Sequence, residues 1–201
     1  MEISVNPEQL RTEAEVIKSN GEDLKRILDN AHRMVAEMHS VWTGRQYSEL
    51  VKSFNRDCPI FGDVVTLTRE DIPAALVAIA NSYLAADGQE SYGTMNSGVV
   101  TYSELAVNED EVISINTAEV EGKRNSLSSE FKNAKEKIAE IETKISNLSW
   151  TSASAENFKA KVRKYKDEIS SCFDEIDSKF TEWMSGAASA MQTAEKKVDI
   201  G

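Results

Sequence analysis

The sequence predicts an all-α protein, with two helix-turn-helix hairpins packed as a four-helix bundle. Three observations point there. Glycine and proline are scarce, nine and three in 201 residues, so turn formers and helix breakers are few. Apolar residues recur at alternating spacings of three and four, the seam of long helices packed on near-parallel neighbours. The second half of the chain then repeats the first, and a lone hairpin would leave its apolar stripe in water, so two are expected to cover each other as a single-chain pseudo-dimer.

The first helix opens at Asn6-Pro7-Glu8-Gln9. Asn6 caps it, Pro7 takes the first helical position where a missing N–H costs little, and Gln9 is placed to close a capping box. Leu10, Ala14, Ile17, Gly21, Leu24, Leu28, Ala31, Val35 and Met38 form its seam to about Ser40, on the order of 50 Å at ~1.5 Å per residue. After Trp42, Thr43 and Gln46 repeat the capping pattern, which predicts a short turn and a second helix with Thr43 as its N-cap. That helix carries Tyr47, Leu50, Val51 and Phe54. Pro59 and Gly62 predict a break from about Cys58 to Asp71, then helix again to about Asp87 with Pro73 in its first turn.

From Gly88 to Glu111 the composition turns to Gly, Ser, Asn and Tyr without helical period, which reads as a linker, extended in part over Val99 to Val107. Asn116-Thr117-Ala118-Glu119 is a further capping box, and Phe131, Ala134, Ile138, Ile141, Ile145 and Leu148 restore the seam. Trp150-Thr151-Ser152 makes the second turn. Phe158, Val162, Tyr165, Ile169, Cys172, Phe173, Ile176, Phe180, Trp183, Met184, Ala187 and Met191 then mark one amphipathic helix to about Lys197, with Trp183 in the core. Shifting the first half so that Trp42 falls on Trp150 also places Leu50 on Phe158, Phe54 on Val162 and Ile72 on Phe180, without a gap. The expected units are therefore a hairpin over 1–87, a linker over 88–111 and a second hairpin over 112–201.

A net charge of -11 repels phosphate backbones and anionic lipid, and with no Lys/Arg run set against it nucleic acid is not an expected partner. The most apolar stretch, Ile72 to Ala86, includes Asn81 and Ser82 and falls short of the ~20 residues of a membrane helix, so no membrane insertion is expected. Met1 and Glu2 lead straight to Val5 and Asn6, without the basic and apolar run of a signal peptide. His32 and His39 lie about two turns apart, too far to share a metal. Cys58 and Cys172 form no Cys-x-x-Cys pair, and no nucleophile-base order or Gly-rich phosphate loop is present. No catalytic residue, metal or cofactor is expected.

Two copies of long helix, Trp-turn and long helix, without a leader, resemble the WXG family of early-secreted-antigen-like (Esx) proteins exported by type VII secretion systems. Trp42-Thr43-Gly44 matches the family motif outright; Trp150-Thr151-Ser152 has serine in place of glycine. If Thr43 and Thr151 are the N-caps, Gly44 and Ser152 are first-turn positions that need only be small. The family also carries a Tyr-x-x-x-Asp/Glu export signal at the end of the second helix, matched by Tyr83 and Asp87; the second copy has Met191 and Glu195 there.

The resemblance implies antiparallel hairpins that bring Tyr83, Asp87 and Trp150 into one surface for a secretion ATPase, with Trp42 beside Met191 and Glu195 at the other end; the plain reading of both tryptophans is a staple that closes each hairpin. It further implies a non-enzymatic protein secreted without a cleaved signal peptide and cytoplasmic before export, a substrate, co-secreted carrier or virulence effector. The alternative is a cytosolic chaperone or targeting adaptor for a larger toxin, and a plain helical scaffold is a third.

Overall fold

The computed structural model describes residues 3–108 and 110–198. The expectation about a leader at Met1 and Glu2 falls outside them, as do Glu109 and residues 199–201. Helix α1, Pro7–Glu37, begins as the sequence predicts: the Asn6 side chain accepts from the Gln9 N–H at 3.0 Å and Pro7 sits in the first turn. Gln9 does not close a box; its Oε1 accepts instead from the Ser149 N–H at the far turn. A 3-10 turn, Met38–Ser40, carries the chain into the two-residue strand β1, Trp42–Thr43.

The break expected between Cys58 and Asp71 is absent. Three helices, α2 (Arg45–Asp57), α3 (Pro59–Thr66) and α4 (Ile72–Ala86), run on through one another, joined by Cys58 in helical geometry and by a π-turn at Leu67–Asp71. Pro59 is tolerated because it starts a new first turn. Pro73 would press its ring on the Arg69 carbonyl in a regular helix, and the wider π-turn, in which the Ile72 N–H bonds to the Leu67 carbonyl, relieves this. Buried Thr68 returns its hydroxyl to the Val64 and Val65 carbonyls, at 2.9 and 3.2 Å. Opposite, α1 comes so close that a Cβ on Gly21 would lie 2.9 Å from the Arg69 backbone nitrogen, so only glycine fits that crossing.

The described residues after Gly88, 89–108 and 110–113, form an extended strap laid back along α2–α4. Helix side chains bind its backbone: Asn81 to Tyr92, Glu70 to Ser97 and Gly98, Thr66 to Val100, Asn55 to Leu105 and Ser48 to Asn108. The partners descend the helix as the strap ascends. From Asn81 to Ser48 the helix covers about 50 Å, and from Tyr92 to Asn108 an extended chain covers about the same. The strap thus returns to the Trp42 turn, where β2, Ser114–Ile115, pairs antiparallel with β1. Its Val100, Tyr102 and Leu105 pack on the core, and Gly62 makes room, since a Cβ there would meet the Val100 carbonyl at 2.6 Å.

Helix α5, Thr117–Ser146, is capped by Asn116, which accepts from the Glu119 N–H at 3.3 Å. Helix α6 runs from Ala153 to Val198. The chain is a helical bundle in which α1 packs along α4 and α5, and α5 along α6, while α6 touches α2. Two apolar clusters result. One joins the later part of α1 with α2, α3, the start of α5 and the later part of α6; the other joins the start of α1 with α4, the end of α5 and the start of α6.

The buried seam of α1 has a counterpart in α5, 110 positions on from 10 to 120. Leu10, Ile17, Gly21, Leu24, Leu28, Ala31 and Val35 answer to Val120, Leu127, Phe131, Ala134, Ile138, Ile141 and Ile145, all buried. Trp183, expected in the core, is 38% exposed, and Tyr165 on the same helix is 46% exposed. Their positions lie on the flank of α6, outside the stripe of Ile169, Phe173, Ile176, Phe180 and Met184, because a helix this long covers only one face against α5.

Candidate functional site

The two tryptophan turns are built with the same exchange. At the first, Trp42 pairs with Ile115 and Thr43 with Ser114, the Asn116 N–H bonds to the Val41 carbonyl at 2.8 Å, and the Thr43 hydroxyl donates to the Val112 carbonyl at 2.8 Å. At the second, Ser4 and Thr151 exchange both backbone bonds, at 3.2 and 2.8 Å. Each turn is therefore closed by the residues that open a helix in the other half of the chain. The sequence holds the signal for this. Ile3-Ser4-Val5-Asn6 recurs as Ile113-Ser114-Ile115-Asn116, a short β-compatible run ending in a helix cap.

Neither threonine is the N-cap. Helix α2 is capped by Gly44, whose φ of 101° lies where L side chains are strained, and Gln46 makes no capping bond. At the second turn Ser152 takes the cap, its Oγ accepting from the Ala155 N–H at 3.0 Å. The departure from Gly to Ser therefore changes the capping chemistry, not merely the size of a first-turn residue. Thr43 is committed to the strap and Thr151 to Ser4.

Both tryptophans are buried, Trp42 to 3% exposure and Trp150 to 2%. Neither stands open as a recognition aromatic; each ring packs inside its turn as a staple does, which removes a large apolar area from water. Trp42 packs on Tyr47, ring centroids 6.0 Å apart. Burial pushes the Tyr47 phenol above its ordinary value, and its hydroxyl reaches the Val35 carbonyl. Trp150 packs on Phe158 at 5.9 Å.

The Trp150 end is where predicted residues meet. Helix α4 ends with Asp87 as C-cap and Gly88 at φ 72°, with the Gln89 N–H on the Leu84 carbonyl and the Gly88 N–H on the Ala85 carbonyl, a Schellman stop that needs glycine. This fixes the last turn of α4, so that Tyr83 holds its hydroxyl 3.4 Å from the Trp150 indole nitrogen, which donates to it. Asp87 does not join that contact; it is exposed and accepts from the Gln89 amide. Beside them α4 and α6 stand apart, leaving a groove of about 510 Å³ lined by Ile79, Ser82, Tyr83, Trp150, Ser154, Asn157, Phe158 and Lys161.

At the opposite end α6 packs on α2, and the pocket there, about 340 Å³, lies instead between the start of α5 and the last turns of α6. Leu50 and Ala187, which lie at the repeat positions of Phe158 and Ile79, are both buried. Met191 is half-buried and Glu195 exposed on the last turns of α6; the aromatic neighbour of Trp42 is Tyr47 rather than anything from that helix end.

The expectation of no Lys/Arg run is corrected: Lys159, Lys161, Arg163, Lys164 and Lys166 follow closely on one another near the start of α6, and Lys161 lines the groove. Lys159 donates to the Leu148 and Trp150 carbonyls, while Arg163, Lys164 and Lys166 pair with Glu142, Glu168 and Asp167.

Among the described residues no group of three or more His, Cys, Asp or Glu is placed to hold a metal ion, and no helix is long and apolar enough to cross a membrane. Both cysteines are free thiols, and burial, with Glu104 and Asp57 nearby, pushes the Cys58 thiol upward. Compared with family models, curated proteins and solved structures, the chain finds no match.

Proposed function

We propose that the chain is a fused WXG-type dimer, two helical hairpins forming a four-helix bundle, exported as a folded body by a type VII (Esx) secretion system. On this reading it is a non-enzymatic substrate or co-secreted carrier, secreted without a cleaved signal peptide, whose partners are the secretion ATPase or other secretion machinery and a co-secreted helical protein or toxin. The observation that carries the reading is the meeting of Tyr83, from the end of α4, with Trp150 in the other half's turn at 3.4 Å. The tyrosine of a Tyr-x-x-x-Asp pattern and the tryptophan of the opposite motif belong to one bundle end only if the halves lie antiparallel. The reciprocal strand exchange at the two turns supports the same arrangement, since each half supplies its partner's closing segment as the subunits of an isologous dimer do.

Recognition then falls on a prefolded end, with Tyr83 and Asp87 as the presented residues and Trp150 as the buried support that fixes Tyr83. The test compares culture supernatants from cells with and without the secretion ATPase, for wild type, Tyr83→Ala and Asp87→Ala. Export that needs the ATPase and falls in both variants, with cooperative melting retained, is the expected result. Equal amounts outside the cell in every case would remove the reading. A second reading, a cytosolic chaperone or targeting adaptor for a larger toxin, draws on the groove left open between α4 and α6; obligate co-purification with a larger chain, and retention in the cytosol, would select it.

A further inference from the structure

We infer that the groove between α4 and α6 is a docking slot for one class of partner, an amphipathic helix that inserts apolar side chains one turn apart and presents a carboxylate to Lys161. The inference rests on the reading above that this end of the bundle is where the chain is recognised. Ile79, Tyr83 and Phe158 are half-buried walls, and buried Trp150 forms the floor they share. Two helices that diverge leave room for the i, i+3, i+4 anchors of a third.

Charge chooses among such helices. Lys161 is the sole charged residue lining the groove. Its basic neighbours are engaged, with carbonyls at Lys159 and with carboxylates at Arg163, Lys164 and Lys166. Among the described residues no carboxylate lies within ion-pair reach of Lys161, although the chain carries a net charge of -11. Asp87 is exposed at the end of α4, while Lys161 stands about 10 Å along α6 from Ser154. Asp87 lies outside the lining, so the slot's own charge is the exposed ammonium of Lys161 toward its inner end, which favours a guest carboxylate there. Like charge at that inner position is selected against more strongly than opposite charge is rewarded.

The test titrates the isotope-labelled full chain, followed by amide NMR, with two synthetic helical peptides. They share their leucine positions and differ only in carrying Glu or Lys at the residue that faces Lys161. The Glu peptide is expected to shift the Ile79, Tyr83, Phe158 and Lys161 amides saturably, and to bind about tenfold tighter than the Lys peptide. Lys161→Glu, a change at an exposed position, reverses the preference and Lys161→Gln levels it. Equal binding of the two peptides to wild type, shifts confined to other residues, or the same shifts on concentrating the chain alone, which would make a second copy the occupant, each overturn the inference. Charge-selective binding with export indifferent to Tyr83→Ala removes the export reading and leaves the slot. Export that depends on Tyr83 without charge-selective binding does the reverse.

Discussion

At the Trp42 turn a two-residue ribbon closes the chain and α6 lies on α2; at the Trp150 turn one isolated bridge closes it and a groove lies between α6 and α4. The motif is shared, and so is the burial of its tryptophan. What differs is the surroundings. The strap arrives at the first turn after pairing with the helix along its whole length, and it delivers β2 together with the Thr43 to Val112 bond. The second turn receives only the Ser4 bridge and the Gln9 amide oxygen. A repeated motif thus gives one end where α6 lies against the helix after the turn and one where a groove separates them, and the difference follows the strap, which reaches only the first turn.

The largest expected effect is common to both ends. Trp42→Ala and Trp150→Ala should each cost about 3–5 kcal/mol in urea unfolding. Trp42→Ala belongs at the upper part of that range, because surroundings held by the ribbon and by α6 on α2 resist collapse into the cavity, and Trp150→Ala at the lower part, because the groove beside it can collapse. A loss below about 1 kcal/mol at either site would mean that the ring is not the plug its burial indicates.

Next comes the glycine that the two turns do not share. Writing the second turn's residue into the first, Gly44→Ser puts a side chain at φ 101°, and is expected to cost about 1–3 kcal/mol. A Cβ there would lie 3.4 Å from the Ile113 side chain, an ordinary contact, so the penalty is one of backbone conformation. A neutral outcome would show that the turn can relax to the Ser152 geometry.

These differences mark where the sequence could be read and where it could not. The Asn6 and Asn116 caps, the α1 and α5 seams and the length of α6 rest on local rules, and those local rules suffice. Pro73 in the first turn of α4 was legible, but the path from Cys58 to Asp71 was not legible as helix, because Pro59 and Gly62 read as a break, and the π-turn at Leu67–Asp71 lies where Gly21 lets α1 come close. The strap was legible as irregular but not as fixed, since what holds it are Ser48, Asn55, Thr66, Glu70 and Asn81, five helix residues with no periodic signature. At the candidate site the nearness of Tyr83 and Trp150 was an implication of the family resemblance, through antiparallel packing of the halves. The groove was not, because it arises from how far α6 splays, and the Ile-Ser-x-Asn repeat that locks the turns is too short to stand out until both copies are seen paired.

A smaller effect separates the ends by pH. In the strap that feeds β2, the Tyr102 hydroxyl donates to Asp29 at 2.8 Å. Burial first, then the bond and charge of Asp29, hold its phenol well above the ordinary value. A proton bound more tightly in the folded state stabilises fully below the unfolded pKa of about 10 and is lost as pH rises beyond it. Tyr102→Phe should therefore cost about 1 kcal/mol at neutral pH and flatten the alkaline fall in stability, with Tyr47 supplying the slope that remains. Amide exchange gives the comparison: the β2 amides at the Trp42 turn should open sooner in the variant, and the Ser4 amide at the Trp150 turn should not.

The smallest expected effect is the reciprocal of the glycine exchange. Ser152 caps α6 through one bond to the Ala155 N–H and has an ordinary φ, since no residue other than glycine is at positive φ among those described. Ser152→Gly would recreate the outright motif and lose that bond, yet glycine is itself an acceptable N-cap, so the cost should be only a few tenths of a kcal/mol, against about 1 kcal/mol for Ser152→Ala. The two exchanges together therefore test direction: glycine should enter the second turn almost freely, whereas serine should not enter the first. If Ser152→Gly proves as costly as Gly44→Ser, the side-chain cap rather than the buried tryptophan holds the second turn, and the ease with which one motif residue replaces the other has been misjudged at both ends.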